Sequence, residues 1–376
     1  MIIGIPTEIK EEELRVAATP ATVFQITQAG HTVLIQAGAG AGISATDEEY
    51  IHSGAEIIQT AEELWERAEM IYKVKEPLES EYKYLREGLI VFCYLHMANN
   101  EPLLNALIEN KVISIAYETI EVDRTLPLLK PMSEIGGCMA IVEGSNLLKH
   151  SQGGKGRLLQ GVPGVPPGHV VVIGSGTAGR GAIRTAVGIG ARVTAIDRYI
   201  DKLSALQDIY GPRLETQFSS PYNISKAVKT ADLVVGAVLV TGARTPKVVT
   251  EEMVKSMEPG SVIVDIAVDQ GGCVETIDRF TTHSDPVYIR HGVLHYAVPN
   301  IPGTVAATAT TALSNATSRY AIEIANQGWI QASDNNPAIK KGINTAYGKI
   351  TYKGVADAFD KEYVDLDNII HRILKH

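Results

Sequence analysis

The stretch "VVVIGSGTAGRGAIRTAVGIGARVTAIDRY", residues 170–199, constrains the fold more than any other. An apolar run of strand length stops at a glycine-rich turn. A helix-patterned segment follows, and a second apolar run closes on Asp197. This order commits the segment to a βαβ unit with parallel strands. Gly174, Gly176 and Gly179 satisfy G-x-G-x-x-G/A in that context. The first glycine permits the tight turn, the second lets backbone approach a pyrophosphate, and the third lets the helix pack closely on the strand. Free amides at the helix start then face the phosphates. Asp197, 23 positions after Gly174, is placed to accept both ribose hydroxyl protons. A 2′-phosphate would meet like charge there, so the turn predicts NAD over NADP, with the adjacent Arg198 pulling weakly the other way.

Strand-like and helix-like segments alternate elsewhere too. "MIIGIP", "HTVLIQ", "MIYKVK", "LIVFCYL" and "VISIAY" read as strands up to residue 117, and "HVVVIGSG", "ARVTAID", "ADLVVGAV" and "SVIVDIAV" form a second series. Between them lie helices such as "TPATVFQITQAG", with Thr19 as cap and Pro20 at the first helical position. A chain of 376 residues is long for one core. The expected fold is therefore α/β, with two doubly wound Rossmann-like domains and an active-site cleft between them. A helix over 133–150 and the glycine- and proline-rich "SQGGKGRLLQGVPGVPPG" read as the connector. Beyond Pro302, "GTVAATATTALSNATSRYAIEIANQGW" (303–329) reads as one extended helix, followed by helix-like "PAIKKGINTAYG". That tail is too small for a third core, so it is expected to cross back and complete the first domain. The expected domains are 1–130 with 305–376 for substrate and 131–304 for the dinucleotide.

A second glycine series, Gly38, Gly40 and Gly42, also follows a strand. Its helix starts late, at a capping box of Thr46 and Glu49, and no acid ends the next apolar run. It reads as a ligand-free turn. The net charge of −9, with no basic stripe, argues against nucleic acid. Cys93, Cys138 and Cys273 are scattered with no C-x-x-C, which fits a reducing cytoplasm and no structural zinc. "HGVLH" (His291, His295) lacks the glutamate of a zinc helix and lies in a strand-like run, so no metal is expected. The amino terminus does not read as a signal peptide. No apolar run reaches ~18 residues, so no membrane span is expected.

In open α/β sheets ligands bind beyond the carboxyl ends of strands. Arg15, Lys75, His96 and Asp269 all follow strands. Each has a plain alternative. Arg15 lies in a charged run that is ordinarily solvated, Lys75 and Lys73 suit a sheet edge, His96 suits a core, and Asp269 suits a turn cap; Asp265, within a strand, reads as structural. Together the four suit oxidation of a small amino acid. Two cations clamp a carboxylate, a histidine moves protons near neutrality, and an aspartate orients water or steadies an imine.

These residues sit in familiar surroundings. "GIPTEIKEEELRVAATP", "VKEP", "YLHMA", "SIAYETI", "PLLKPMSEI", "QGGKGRLLQGVPGV", "ADLVVGAVLVTGARTPKVV", "SVIVDIAVDQGGC" and "LHYAVPNIPGTV" closely resemble the NAD-dependent alanine dehydrogenases over essentially the whole chain. The resemblance implies reversible oxidative deamination of L-alanine to pyruvate and ammonia. It implies that Arg15 and Lys75 bind the carboxylate and that His96 and Asp269 are the acid/base groups, with their division of roles open. It further implies NAD contacts at Ser133, Thr177, Ala178, Gly179, Asp197, Lys202, Ser219, Val238, Leu239, Ile266, Ala267, Val268, Asp269, Val298, Pro299, Asn300 and Ile301. Arg279 is included too, although "ETIDRFTT" is offset by one residue from the family pattern. Cys138 stands where the family commonly has a basic residue, and Pro299 where it has alanine. Family members are homo-oligomers, often hexamers. The related NAD-binding subunit of proton-translocating transhydrogenase shares the fold but lacks the histidine and aspartate present here as His96 and Asp269. That subunit, a dehydrogenase of another small amino acid, and a non-catalytic NAD-sensing protein stand as alternatives.

Overall fold

Apolar runs bounded by turn residues become strands where the sequence marks them. In chain order these are β1 Ile2–Ile5, β2 Thr32–Gln36, β3 Glu56–Ile58, β4 Met70–Tyr72, β5 Ile90–Cys93, β6 Ile113–Ala116, β7 His169–Ile173, β8 Arg192–Asp197, β9 Leu214–Phe218, β10 Leu233–Gly236, β11 Val262–Asp265, β12 Val287–Arg290, β13 Val293–Tyr296, β14 Ile343–Ala346 and β15 Lys349–Ile350. The structure, a computed structural model, describes residues 1–238, 245–268 and 271–374. The chain divides into two units, Met1–Met132 with Val305–His376, and Ser133–Thr304.

The sheet of the first unit runs β3-β2-β1-β4-β5-β6-β14-β15. The chain winds from β1 outward to β3, then returns beside β1 as β4 and winds the other way. Its parallel order therefore reverses between β1 and β4, the switch point at which open α/β sheets leave room for a ligand. Every residue of β4, β5 and β6 is buried, as expected of strands covered on both faces. Thr19 caps the helix Pro20–Gln28 by accepting from the Thr22 amide, and Thr46 with Glu49 forms the capping box that starts Asp47–His52.

The tail departs from its expected form in two places. The long helix Ala306–Asn335 is broken at Gly328, whose φ of 73° and ψ of 157° are not helical. Helix then covers only Pro337–Gly342 of the next segment. "INTA" pairs instead as β14, antiparallel to β6. Branched Ile343 and Thr345 fit a pleated surface better than a helix, and the Ser114–Thr345 hydroxyl pair at 2.8 Å fastens the two strands.

The second unit's sheet runs β9-β8-β7-β10-β11-β13-β12, with only β12 antiparallel to its neighbour. Its order reverses between β7 and β10. Alternate residues of β7 enter separate cores: Val170 and Val172 pack with Ile183 and Leu206, whereas Val171 and Ile173 pack with Ile224 and Val254. The period of two along a strand makes both faces apolar, and fully burying each such side chain is worth about 1.5–3 kcal/mol. The helix expected over 133–150 spans Lys130–Leu147.

Candidate active site

The glycine turn lies at the switch point of the second unit. Gly174 has φ +94°, and a Cβ there would stand 2.5 Å from the Ala237 carbonyl oxygen. Gly179 lets the helix Thr177–Gly188 sit on the turn, since a Cβ would come 1.8 Å from the Gly174 carbonyl oxygen. Gly176 differs from both. It has ordinary backbone angles, and a Cβ on it would meet none of the described residues within 4 Å. Open space above a helix start is what an approaching phosphate requires. By contrast, Gly42 of the second glycine series is blocked by protein, with a Cβ 2.1 Å from the Leu14 carbonyl oxygen.

Asp197 ends β8 with its carboxylate turned back on the glycine turn. Oδ2 accepts from the Ser175 amide and hydroxyl, both at 2.7 Å, and Oδ1 accepts from the Tyr199 amide at 2.9 Å. Burial opposes its ionisation, but those bonds outweigh burial and hold the carboxyl below its usual range. The Arg198 guanidinium and the Lys202 ammonium both lie over the Tyr199 ring, at 4.7 and 4.8 Å from its centre. The Ser219 amide donates to the Asp197 carbonyl. A Cβ on Gly174 would lie 3.1 Å from the Val238 amide, and the Ile266 amide donates to Gly236.

Ser133, Thr177, Ala178, Lys202, Ser219, Val238, Ile266, Ala267, Val268, Val298, Pro299, Asn300 and Ile301 all belong to this unit. Most of them follow the carboxyl ends of its parallel strands. Ser133 arrives on another element, the helix Lys130–Leu147. Gly137 and Gly181 let this helix close on Thr177–Gly188: a Cβ on Gly137 would come 1.9 Å from the Ala178 carbonyl, and one on Gly181 2.6 Å from that of Glu134. Arg279 is exposed, bonded to Asp278 at 2.9 Å and stacked over Tyr288 of edge strand β12. Cys138 accepts a hydrogen bond from Arg184 at 3.5 Å. Leu239 and Asp269 lie outside the described residues.

The segments before and after Asp269 are tied down on both sides. Asp265, wholly buried in β11, accepts from the amides of Ala267, Cys273 and Val274. Lys247 donates to the carbonyls of Gly271 and Val274. The structural reading of Asp265 fits this arrangement. His295 sits in β13 with Nδ1 donating to the Val293 carbonyl and Nε2 2.7 Å from the Thr276 hydroxyl, while His291 bonds to Glu251. The two rings of "HGVLH" thus serve different partners.

In the first unit Arg15 is no solvated charge: it is 3% exposed. Its guanidinium forms a fork on Glu13, with Nε to Oε1 at 2.6 Å and Nη2 to Oε2 at 2.5 Å, and Nη1 reaches the Met132 sulfur. Burial disfavours the Glu13 carboxylate, but Arg15 outweighs burial and lowers its pKa. The helix Ala306–Asn335 fixes the backbone beyond Arg15, because Thr310 accepts from the Val16 amide and Ser314 from that of Thr19. Lys75 is partly buried after β4. Burial lowers its pKa first, and the charges of Arg15 and Lys10 push it further the same way. The charges of Glu76 and Glu13 oppose that shift without cancelling it, so the surroundings of Lys75 still favour an added anion. Lys73 is different: it is buried in a triad with Glu8 and Glu81 at 3.3 and 3.0 Å, which hold it charged against burial.

His96 is exposed just beyond β5, in the left-handed region at φ 45°, ψ 39°. Its ring lies parallel to Tyr94 at 5.9 Å. Tyr94 is itself set edge-on against Tyr117 and bonded through its hydroxyl to the Leu128 carbonyl at 2.5 Å. The positive charge of Arg15 acts on the Tyr94 phenol as it does on Lys75. Sequence reasoning overlooked the glutamates behind this edge. Glu8 accepts from the Val74 and Lys75 amides at 2.6 and 3.4 Å, and Glu118 accepts from Leu95 and His96. Their only signal is an acid two or three positions after a strand.

Comparison with known proteins covers both units of the chain. The profile of the alanine dehydrogenase/PNT N-terminal domain matches residues 4–136, and that of the C-terminal domain matches 140–353. Alanine dehydrogenase of Methanococcus maripaludis is 55% identical over 99% of this chain and 100% of its own. Alanine dehydrogenase 2 of Staphylococcus aureus is 51% identical, again over 99% and 100%. Among solved structures, an L-alanine dehydrogenase superposes with a TM-score of 0.93 at 45% identity, covering 96% of this chain and 99% of its own. A transhydrogenase from Sinorhizobium meliloti superposes at 0.80 and 25%, covering 94% and 99%.

Proposed function

The chain belongs to the alanine dehydrogenase/PNT family, and we propose that it is an L-alanine dehydrogenase catalysing L-alanine + NAD⁺ + H₂O ⇌ pyruvate + NH₄⁺ + NADH + H⁺. The reading is carried by one coincidence: two cations that act on one another follow the adjacent strands β1 and β4, and an exposed histidine follows β5 beside them in the sheet, in a chain that aligns end to end with alanine dehydrogenases.

NAD⁺ fits the open space over Gly176 and the carboxylate of Asp197, and when bound it accepts hydride from Cα of the amino acid. Arg15 and Lys75 grip the substrate carboxylate, Arg15 through its planar guanidinium and Lys75 as a compact charge. That grip fixes the orientation of Cα, and fixed orientation supplies much of the acceleration. His96 takes the proton of the water that adds to the oxidised carbon and returns it as ammonia leaves. Asp269 steadies the water and the nitrogen, and the two groups share the proton work. Cofactor contacts are proposed at Ser133, the glycine turn, Asp197, Lys202, Ser219, Val238, Leu239, Ile266–Asp269, Arg279 and Val298–Ile301. Residues 1–130 with 305–376 form the proposed substrate domain, and 131–304 the dinucleotide domain. We extend the reading to a homohexamer, in line with the family resemblance, and to the cytoplasm, which the three free cysteines suit. No helix among the described residues is long and apolar enough to cross a membrane.

The purified full chain should form NADH, followed by its absorbance, from L-alanine and NAD⁺, and far less NADPH from NADP⁺. NADH binding without alanine turnover would point to the transhydrogenase-type alternative, and faster turnover of glycine, serine or 2-aminobutyrate would shift the substrate. Hydride leaves Cα only when the amine is unprotonated and its lone pair can form the C=N bond, so oxidation should favour alkaline pH and amination of pyruvate a lower pH. Coincident profiles in the two directions would refute the scheme.

A further inference from the structure

Past the last paired residues of β5 and β6 the sheet's ladder is continued by a side chain. The amide of His96 donates to Glu118 Oε1 at 2.6 Å, and that of Leu95 lies 3.2 Å from both oxygens. Glu118 leaves the chain two residues after β6, the neighbour of β5. It therefore stands where a carbonyl would stand had the ladder gone on. The peptide it receives is the one that turns into the left-handed region at His96. A non-glycine residue persists there only when its surroundings over-determine it. Two restraints are visible: the carboxylate on the amides, and the parallel stack of the imidazole on a Tyr94 ring that is itself anchored.

We propose that Glu118 is a positioning residue for His96: its carboxylate holds the 95–96 peptide in the left-handed turn that lays the imidazole on Tyr94 and so fixes where the ring exchanges its proton. The proposal rests on the reading of His96 as an acid/base group. Glu118 acts through the backbone. Glu8 stands in the same relation to Lys75, one carboxylate beyond β1 receiving amides beyond β4. The site residues of this edge are thus aimed by acids from the neighbouring strand.

Two measurements on the full-length enzyme decide the matter. In a crystal structure of Glu118→Ala, His96 should leave the left-handed region and its ring should leave Tyr94; an unchanged φ and stack would overturn the proposal. In alanine oxidation, Glu118→Ala should lower kcat about 30-fold with the KM for NAD⁺ unchanged, as expected of a displaced catalytic group. Glu118→Gln, which keeps an acceptor oxygen, should recover most of that loss. In a His96→Ala background the further loss from Glu118→Ala should fall under about 2-fold, because residues acting through one another are not additive. Equal losses in both backgrounds would overturn the proposal and leave Glu118 a merely structural acid. If Glu118→Ala does not fold, Glu118→Asp, with its carboxylate drawn back by one methylene, carries both readouts with about a 5-fold kinetic loss. If the wild type forms no NADH from alanine, the functional reading fails separately and the crystallographic result alone decides the role of Glu118.

Discussion

Replacing Asp197 with alanine tests the cofactor site where its geometry is most explicit. A carboxylate offers about four acceptor positions. Here Ser175 takes two through its amide and hydroxyl, and Tyr199 takes one. One position remains, on Oδ1, so a ribose bound there would gain one full charge-assisted bond. Such a bond is worth about 1.5–3 kcal/mol, so Asp197→Ala should raise the Kd for NADH about 10–150-fold. NADPH should respond differently. Its 2′-phosphate no longer meets a carboxylate, while Arg198 and Lys202 remain over Tyr199, so its Kd should hold or fall. Titration by NADH and NADPH fluorescence in the absence of alanine isolates binding from chemistry. Ser175→Ala is the control, since it removes one support of the carboxylate and leaves the ribose contact. Parallel weakening of NADH and NADPH would refute the ribose assignment, because it would mean that Asp197 merely braces the glycine turn.

Arg15→Ala and Lys75→Ala should each raise the KM for alanine about 10–150-fold, the loss of a charge-assisted bond, while the Kd for NADH stays put; a matching loss of NADH binding would break the carboxylate assignment. Arg15→Ala should also lower the unfolding temperature, because it strips buried Glu13 of its fork. Gly176→Ala should leave stability within about 0.5 kcal/mol yet weaken NADH binding, since its Cβ meets none of the described residues; Gly179→Ala should cost both, and equal stability losses would remove the distinction between the two glycines. Burial pushes His295 down to about 4, so the unfolded chain binds more protons between that value and about 6.5. Stability should be whole above pH 6.5 and fall as pH drops toward 4. His295→Gln should blunt that fall in thermal unfolding scans, and an unchanged slope would count against it.

The fold was legible because its signal is local. Each βαβ step carries its own apolar runs, turn glycines and caps, as in the Thr19 cap and the Thr46–Glu49 box. The tail was less so, because the helix-like spacing of "PAIKKGINTAYG" competes with a partner, Ser114, some 230 positions away that no local pattern can indicate. The site divides in the same way. Gly174, Gly176 and Asp197 follow one another at fixed offsets, so a single βαβ unit announces them. Arg15 looked like one more charge in "EIKEEELR", and its burial depends on Glu13, Met132 and the hydroxyls of Thr310 and Ser314 beyond it.

The acids behind the site were the hardest to see, and the reason is physical. A carboxylate that receives backbone amides of another strand needs no motif, since every residue has the same amide to give. What selects Glu8 and Glu118 is position: each lies just past the last pairs its strand makes with a neighbour, where amides of the neighbouring segment have no further ladder carbonyl to meet. A strand ending at that point must either expose those amides or supply an acceptor from a side chain. Glutamate is long enough to reach across to the neighbouring strand, and the charge it brings offsets the cations this edge collects. In the second unit Asp197 likewise reaches the Ser175 amide beyond neighbouring β7, whereas Asp265 receives the Ala267 and Cys273 amides of the segment that follows its own strand. Strand-end acids that appear idle in a sequence of this class are therefore the first places to look for what aims a site, ahead of the residues that face the substrate.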